Sequence, residues 1–251
     1  MVVIPTFNEA ANIARLIPQL LELNFDLLVV DDSSTDGTPE IVSAFAKQSE
    51  RVHLLSRPGK MGLGSAYREG FARLLKDEYQ VIIQMDADGS HRVADLRRML
   101  EFQQDHPACD VVIGSRWTAG GAVENWPKKR ELLSRTANLY SRKLLGLKVK
   151  DNTAGFRIYR SELLKKIKLS EVTSEGYAFQ IEMTRSATMA GANIAEVPIL
   201  FVEREFGTSK MSGKIIREAL IKVTKWGLLQ IIGRQLLMKR SETLLIMLTK
   251  K

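Results

Sequence analysis

The chain carries, at residues 81–88, the stretch VIIQMDAD, in which an apolar run leads directly to the carboxylates of Asp86 and Asp88. The run Val81–Met85 is short and uncharged, which is typical of a strand covered on both faces of a sheet. Because successive strand side chains alternate between faces, we expect Asp86 and Asp88 to point the same way. Open α/β sheets bind ligands at the carboxyl ends of their strands, so the stretch predicts a central strand with a polar site at its end.

Similar apolar runs alternate with amphipathic stretches along the first two hundred residues. The predicted strands are Met1–Ile4, Leu27–Val30, Val81–Met85, Val111–Ile113, Phe156–Tyr159 and Ile194–Val202, the last broken by Pro198 and therefore near an edge. The predicted helices are Glu9–Leu23, Pro39–Gln48, Ser65–Lys76, Val93–Gln104, Glu131–Leu145, Tyr177–Ala190 and Ser212–Arg234. Residues 115–130 are expected to form a long loop. The alternation predicts an α/β fold, a doubly wound and mostly parallel sheet with helices on both faces.

Composition places the chain among ordinary globular proteins, since 45% of its 251 residues are hydrophobic and 26% are charged. Its one cysteine, Cys109, excludes an intramolecular disulfide and a cysteine-based zinc site. From Lys210 onwards lie ten of the 37 Lys and Arg but only two of the 29 Asp and Glu, so residues 1–209 hold 27 of each and the net charge of +8 belongs to the end of the chain. This distribution predicts contact with an anionic surface there and argues against nucleic acid as a partner.

Two carboxylates at one strand end are costly unless a cation holds them. Oxygen ligands suit Mg²⁺ or Mn²⁺, which one or two carboxylates bind together with a diphosphate. An acidic turn that merely closes the strand is the alternative interpretation. A second pair, Asp31 and Asp32, follows the run Leu27–Val30 at the same edge, where acidic side chains commonly accept hydrogen bonds from a ribose or base.

Further motifs lie in the loops that follow the strands. The segment PTFNE, residues 5–9, places an aromatic ring and a carboxylate at the same edge, although a capped helix start would also explain it. The segment GLGS, residues 62–65, lacks the spacing of a dinucleotide fingerprint or a P-loop, which argues against a dehydrogenase or an NTPase. Basic residues that recur after the Asp86 motif suit phosphate oxygens better than solvated surface positions. They are Arg116, Lys128, Lys129, Arg130, Arg135, Arg204 and Lys210.

The predicted helix Ser212–Arg234 is amphipathic and basic. Its apolar residues recur at helical spacing, and its basic residues lie away from that stripe. The apolar positions are Ile216, Ala219, Leu220, Val223 and Trp226, and the basic ones are Arg217, Lys222 and Lys225. The stripe contacts either a membrane surface or the core of the chain's own domain.

Together these segments resemble the family 2 glycosyltransferases with the GT-A fold, and within them the dolichol-phosphate and polyprenol-phosphate mannose synthases. The matching segments are IPTFNE (residues 4–9), VDDSSTDGT (30–38), MDADGSH (85–91), GSR (114–116), NWP (125–127), RELLSR (130–135), GFR (155–157) and FVEREFGTSK (201–210). The segments at 130–135 and 203–210 are the ones most specific to the polyprenol-phosphate branch.

The resemblance implies roles for particular residues. Nucleotide-sugar binding falls to Pro5, Phe7, Glu9, Val29, Asp31, Asp32, Met85, Asp86, Ala87, Asp88, Arg204 and Lys210. The implied metal ligands are Asp86, Asp88 and Ser90, the implied ligands of the acceptor phosphate are Arg116, Arg130 and Ser134, and the implied catalytic residues are Asp88, Arg116 and Arg130. Two positions depart from the family pattern, because Phe7 replaces a usual tyrosine and Ser90 stands where some members have glutamine.

The resemblance also implies an activity. Residues 1–211 would form a GT-A glycosyltransferase domain that moves mannose from GDP-mannose to a polyprenyl (dolichyl) monophosphate with inversion, using Mg²⁺ or Mn²⁺. Residues 212–251 would form a basic amphipathic appendage on an anionic membrane surface, with a membrane-anchoring partner protein as an open option. The expected location is cytoplasmic, peripheral on the cytoplasmic face of a membrane. The alternatives are UDP-glucose as donor to the same acceptor, or a non-catalytic membrane-associated scaffold.

Overall fold

A computed structural model describes residues 1–204 and 213–249, in which strands and helices alternate as the sequence predicts. The strands are β1 Val2–Thr6, β2 Leu27–Asp31, β3 Val52–Ser56, β4 Val81–Gln84, β5 Val111–Ser115, β6 Ala122–Glu124, β7 Arg157–Arg160, β8 Ile194–Pro198 and β9 Leu200–Val202. The helices are α1 Ala10–Glu22, α2 Thr38–Gln48, α3 Leu63–Leu74, α4 Val93–Asp105, α5 Lys128–Leu145, α6 Ser161–Lys166, α7 Gly176–Met189 and α8 Gly213–Thr249. A single 3-10 turn, Leu169–Glu171, follows α6.

Seven strands form one sheet in the order β3-β2-β1-β4-β7-β5-β8, and β7 is antiparallel to both of its neighbours while the other pairs are parallel. The α/β, mostly parallel fold is therefore confirmed. Because β7 runs the other way, the residues that precede it, 151–156, reach the edge where β4 and β5 end. An added Cβ at Gly155 would lie 3.2 Å from Asp86 Oδ2, a tight contact that would require the carboxylate to shift.

The predicted secondary structure differs from the structure at four places. β3 and α6 were missed, and β6 lies within the predicted loop 115–130 and pairs with β9 in a second, two-stranded sheet. The predicted strand Ile194–Val202 is two strands in different sheets, because the chain leaves the main sheet after Pro198. Its predicted edge position is confirmed, since β8 is the last strand of the sheet.

The alternation of strand side chains divides the apolar core into two layers. Ile4 on β1 packs in one layer with residues of α1, α2 and α4, whereas its neighbour Val3 packs in the other with residues of α3, α6 and α7. Both layers consist mainly of aliphatic and aromatic side chains, so helices cover the two faces of the sheet and leave its carboxyl-end edge for polar residues.

The last helix, α8, packs on the domain along one side. Val223 is buried between α5 and α7, and an added Cβ at Gly227 would collide with Leu144 of α5. On the other side about half of the surface of Ile221 and Leu228 is exposed. Val223 and Trp226 of the predicted stripe thus pack on the chain's own domain, while membrane contact by α8 and the division of the chain at residue 212 stay predictions. Among the described helices, none combines the length and apolar character needed to cross a bilayer.

Candidate active site

Asp86 is held in place through both its carboxylate and its main chain. Its Oδ1 accepts a hydrogen bond of 2.7 Å from the Tyr67 hydroxyl of α3, and its main-chain N–H donates to His91 Nδ1 at 3.0 Å. Burial raises the pKa of Asp86 above its usual value, and the nearby charge of Asp88 adds to that effect. Burial also lowers the pKa of His91, so its ring is neutral and Nδ1 is free to accept the Asp86 N–H.

Asp88 faces the same edge and is nine-tenths buried. The N–H of Ser90 donates to its Oδ1 at 3.1 Å, and Arg204 Nη2 lies 3.0 Å from its Oδ2. The hydroxyl of Ser90 is buried and makes no hydrogen bond within the part of the chain that the structure describes. A buried hydroxyl without a partner is costly, and here it lies beside a carboxylate pair.

These residues fit a hard divalent cation. No cluster of three or more His, Cys, Asp or Glu occurs in residues 1–204 and 213–249 that could enclose a metal without other ligands. Two carboxylates and one unpartnered hydroxyl instead match an Mg²⁺ or Mn²⁺ site that substrate phosphates and water complete. The three predicted ligands, Asp86, Asp88 and Ser90, therefore lie together, although the assignment itself stays a prediction.

Tyr67 is a site residue that the sequence analysis missed. Its ring is fully buried and stacks on Phe71 and Phe179 at centroid distances of 5.8 and 5.9 Å. Burial raises the pKa of Tyr67 well above its usual value, so the hydroxyl keeps the proton that it donates to Asp86. A tyrosine on the apolar face of a predicted helix was the available signal, because its hydroxyl requires a polar partner inside the fold.

Several predicted nucleotide-binding residues lie at the ends of β1 and β2. In the sheet, β1 lies between β2 and β4. Parallel pairing places Thr6 opposite Asp31, and the Thr6 hydroxyl donates to Asp31 Oδ1 at 2.7 Å. Ser34 donates from its N–H and its hydroxyl to the same carboxylate. Glu9 accepts from the Asn12 side chain at 2.7 Å. Both carboxylates are thus held in fixed positions at this edge.

Phe7 and the remaining predicted nucleotide contacts differ in which groups a nucleotide could reach. The Lys60 ammonium lies 4.1 Å from the centre of the Phe7 ring. The side chains of Val29, Met85 and Ala87 are buried in the apolar core, so a nucleotide could contact only their main chain. Pro5 is likewise buried within β1.

Asp32 has a structural role that differs from its predicted one. Its Oδ1 pairs with buried Arg57 at 2.6 Å, and its Oδ2 accepts the N–H groups of Met61 and Gly62 at 3.0 Å. Its carboxylate therefore anchors the glycine-rich loop to the end of β2, and nucleotide binding by Asp32 stays a prediction.

The glycine-rich loop itself serves packing against the segment before α7. Glu175 Oε2 accepts the N–H of Gly64 at 2.7 Å and so caps the amino end of α3. An added Cβ at Gly62 would contact this carboxylate, and one at Gly64 would collide with the carbonyl of Ser174. Glycine is required at position 64 because the two segments approach closely, and it is favoured at position 62 because the backbone there has a φ of +101°.

Arg116 forms a buried ion pair that the sequence analysis did not anticipate. Its Nε and Nη2 donate to the two carboxylate oxygens of Asp151 at 2.8 and 2.6 Å, and Nη2 also donates to Thr153 at 2.9 Å. The guanidinium carbon lies 5.4 Å from the ring centres of Trp126 and Phe201. Two of its three nitrogens are thus already used, and phosphate binding by Arg116 stays a prediction.

A row of alternating charges joins Asp88 to α5. Arg204 pairs with Asp88 and lies 3.8 Å from Glu203, which pairs in turn with Arg130 on the first turn of α5. The Arg130 guanidinium also stacks over Trp126 at 4.0 Å. This row, Asp88–Arg204–Glu203–Arg130, links the predicted metal site to a predicted acceptor-phosphate ligand.

Of the two remaining predicted residues, the structure describes only Ser134. Ser134 lies one turn beyond Arg130 on α5, on the same side of the helix. Lys210 lies outside the described residues.

The fold and this site define the class of protein. The chain belongs to Glycosyl transferase family 2, whose profile matches residues 1–168, and it is a glycosyltransferase. Its fold is that of glucosyl-3-phosphoglycerate synthase from Mycobacterium tuberculosis crystallised with Mn²⁺, UDP-glucose and phosphoglyceric acid, with a TM-score of 0.66, 20% identity and coverage of 90% of this chain and 78% of that one. The same enzyme crystallised with Mg²⁺ and UDP gives a TM-score of 0.63 at 21% identity, covering 89% of this chain and 78% of that one. These likenesses confirm the GT-A fold.

Two curated relatives are far more similar in sequence. The chain is 48% identical over 231 residues to a polyprenol monophosphomannose synthase of Mycolicibacterium smegmatis, which covers 91% of this chain and 86% of the relative. It is 45% identical over 230 residues to an undecaprenyl-phosphate mannosyltransferase of Micrococcus luteus, covering 91% of this chain and 93% of the relative.

The buried ion pair generates a prediction about stability. Asp151→Asn should lower the free energy of unfolding by about 3–5 kcal/mol, because it leaves the buried Arg116 charge without its partner. The control is Glu131→Gln, which removes the exposed partner of Arg135 and should cost less than about 1 kcal/mol. Urea unfolding of both variants measures the loss of unfolding free energy. Equal losses would show that the Arg116–Asp151 pair contributes no more to stability than the Arg135–Glu131 pair.

Proposed function

We propose that this chain is an inverting mannosyltransferase that moves mannose from GDP-mannose to a polyprenyl monophosphate and produces polyprenyl-phosphate β-mannose. The observation that carries the proposal is the charge row, because it joins a carboxylate pair suited to a metal–diphosphate to Arg130, a cation suited to a second phosphate. The names of the two relatives, both of which describe mannose and a polyprenyl phosphate, support the acceptor and the sugar.

The chemistry requires no general base from the protein. A monoalkyl phosphate has a second pKa of about 6, so the acceptor is largely a dianion at neutral pH and is already the nucleophile. Its direct attack on the anomeric carbon of an α-linked donor inverts that centre. The protein must bring the anionic acceptor phosphate close to the anionic donor diphosphate. The alternating charges of the row make this approach possible.

The residues of the site divide this work. Tyr67 and the Ser90 N–H hold the carboxylates of Asp86 and Asp88 in place, and a bound Mg²⁺ or Mn²⁺ would supply Lewis-acid stabilisation of the leaving diphosphate there. Trp126 and Glu203 fix the plane of the Arg130 guanidinium, whose fork matches two phosphate oxygens. We assign nucleoside binding to the edge of the sheet at Asp31, whose carboxylate would accept hydrogen bonds from the ribose or base.

A direct assay tests the proposal. The full chain is incubated with radiolabelled GDP-mannose or UDP-glucose, with and without a polyprenyl phosphate, and the products are extracted into organic solvent. We expect lipid-soluble label only with GDP-mannose and the polyprenyl phosphate together. Lipid-soluble label from UDP-glucose but not from GDP-mannose would show that UDP-glucose is the donor. No label from either donor would contradict the proposal and favour a non-catalytic scaffold.

The metal assignment predicts the behaviour of Asp88. Asp88→Asn should lower kcat by several orders of magnitude, because one charged ligand of a hard cation is lost. Excess chelator should abolish transfer by the unchanged chain, and Mg²⁺ or Mn²⁺ should restore it. Asp105→Asn, a change at an exposed position of α4, should leave kcat unchanged. Full activity in excess chelator would contradict the assignment.

The absence of a base predicts a pH profile. The rate should rise with pH through about 6, as the lipid phosphate loses its second proton and becomes the dianionic nucleophile. Glu175 and Glu182 are candidate alternative bases. Their carboxylates, however, accept main-chain N–H groups, those of residues 64 and 65 for Glu175 and those of residues 173 and 174 for Glu182. Glu175→Gln and Glu182→Gln should therefore lower kcat less than about tenfold. A thousandfold loss in either would identify a base.

The exposed face of α8 supports peripheral attachment to the cytoplasmic face of an anionic membrane. Ile221, Leu228 and Ile232 form an exposed apolar stripe, with the basic side chains of Arg217 and Lys225 also exposed on this helix. Apolar contact together with about 1 kcal/mol per basic residue is enough for reversible binding. A membrane-anchoring partner protein would add to this attachment and stays a prediction.

Vesicle flotation tests the attachment. The full chain should float with anionic vesicles and be released by high salt. Changing Ile221, Leu228 and Ile232 together to Glu should abolish flotation, whereas Met189→Glu, at an exposed apolar position on α7, should not. If the triple variant floats like the unchanged chain, this face of α8 does not bind the membrane.

A further inference from the structure

The imidazole ring of His91 lies at the end of the turn that carries both carboxylates of the site, and only 3% of the residue's surface is exposed. The ring stacks on Phe156, directly before β7, at a centroid distance of 4.6 Å and an angle of 8° between the planes. Phe201 of β9 contacts the ring edge-on at 5.6 Å. Two aromatic contacts from separate parts of the chain therefore fix the plane of the imidazole.

The ring closes the turn through a hydrogen bond to the main chain. The pairing of β4 with β7 ends at Gln84, opposite Arg157. Beyond that point the Asp86 N–H needs an acceptor from elsewhere, and His91 Nδ1 accepts it at 3.0 Å. Residues 86–91 therefore form a turn whose first residue is bonded to the side chain of its last.

The same turn is joined to β9, the strand that leads to the charge row. Val202 of β9 donates its N–H to the carbonyl of Ser90 at 3.4 Å. Two residues farther along the chain, Arg204 reaches Asp88. Since the ring of His91 also packs against β9, it contacts both the turn that carries the carboxylates and the strand that positions the arginine.

We infer that His91 is a positioning residue, which fixes Asp86 and the strand leading to Arg204 in one arrangement before metal and nucleotide bind. The inference rests on the proposed function, since it concerns the same metal site. Mg²⁺ requires ligands in near-ideal octahedral geometry, so a small displacement of Asp86 is costly for binding. Residues that orient metal ligands in this way typically contribute about 10–100-fold to metal affinity or activity.

Two substitutions separate the hydrogen bond from the packing of the ring. His91→Asn removes the ring but places an oxygen where Nδ1 lies, whereas His91→Leu removes both the ring and the acceptor. Mn²⁺ binding in the presence of GDP, followed by electron paramagnetic resonance, should weaken less than about threefold for Asn and at least about tenfold for Leu. The matched control is His53→Leu, at an exposed position of β3, which should bind Mn²⁺ like the unchanged chain. Thermal unfolding verifies that each variant is folded at the temperature of the measurement.

The unchanged chain provides a second readout, which requires neither metal nor activity. Only three histidines occur in the chain, His53, His91 and His106, so their ring nitrogens are readily assigned in long-range ¹H–¹⁵N spectra. We expect His91 in the form that carries its proton on Nε2, because Nδ1 accepts the Asp86 N–H.

The outcomes distinguish this inference from the proposed function. A proton on Nδ1 of His91, unchanged Mn²⁺ binding by folded His91→Leu, or an equal loss in the Asn and Leu variants would overturn the role of His91 while leaving the metal site in place. If the unchanged chain binds no Mn²⁺ with GDP, the metal part of the proposed function fails, and a proton on Nε2 would then support only the closed turn.

Discussion

Two carboxylates held side by side at the buried end of β4 impose the main constraint on this structure. Removing Asp86 and Asp88 from water while keeping them close is unfavourable, so the surroundings must compensate. A buried tyrosine hydroxyl, a main-chain N–H and Arg204 each offset part of that cost. A bound cation with a diphosphate would offset more of that cost.

The sheet topology serves the same constraint. The antiparallel β7 brings residues 151–156 to the carboxyl edge of β4 and β5, where Gly155 approaches Asp86 and Asp151 neutralises Arg116. With a parallel β7 these residues would lie at the opposite edge. The acidic and basic halves of the site therefore depend on one strand whose direction differs from that of its neighbours.

Much of the fold could be predicted because its signals are local. The central strands β1, β2, β4 and β5 are buried on both faces and read as continuous apolar runs. β3 could not be found in this way, since it is an edge strand in which only Val52 is buried. β6 and β9 have three residues each, too few for any periodicity, and their pairing depends on contacts across the chain.

The site residues likewise differ in whether local sequence could predict them. The carboxylates were predictable from their spacing and their place after a strand, but Tyr67, Glu203 and Asp151 act through partners 19 to 73 residues away. Arg116 and Asp32 show the converse, because each pairs with a buried opposite charge that the loop sequence alone did not reveal. Local pattern therefore finds which groups carry charge, and only the fold determines which charges remain for substrate.

The proposed catalysis depends on a metal-bound diphosphate between Asp86 and Asp88. The most direct measurement is a crystal structure of the full chain with GDP and Mn²⁺, using anomalous scattering to locate the ion. We predict one anomalous peak within about 2.0–2.3 Å of a carboxylate oxygen of Asp88 and of the diphosphate, with Arg204 turned away from Asp88. Bound nucleotide with no ion at this position, and with the Arg204–Asp88 pair intact, would contradict the account.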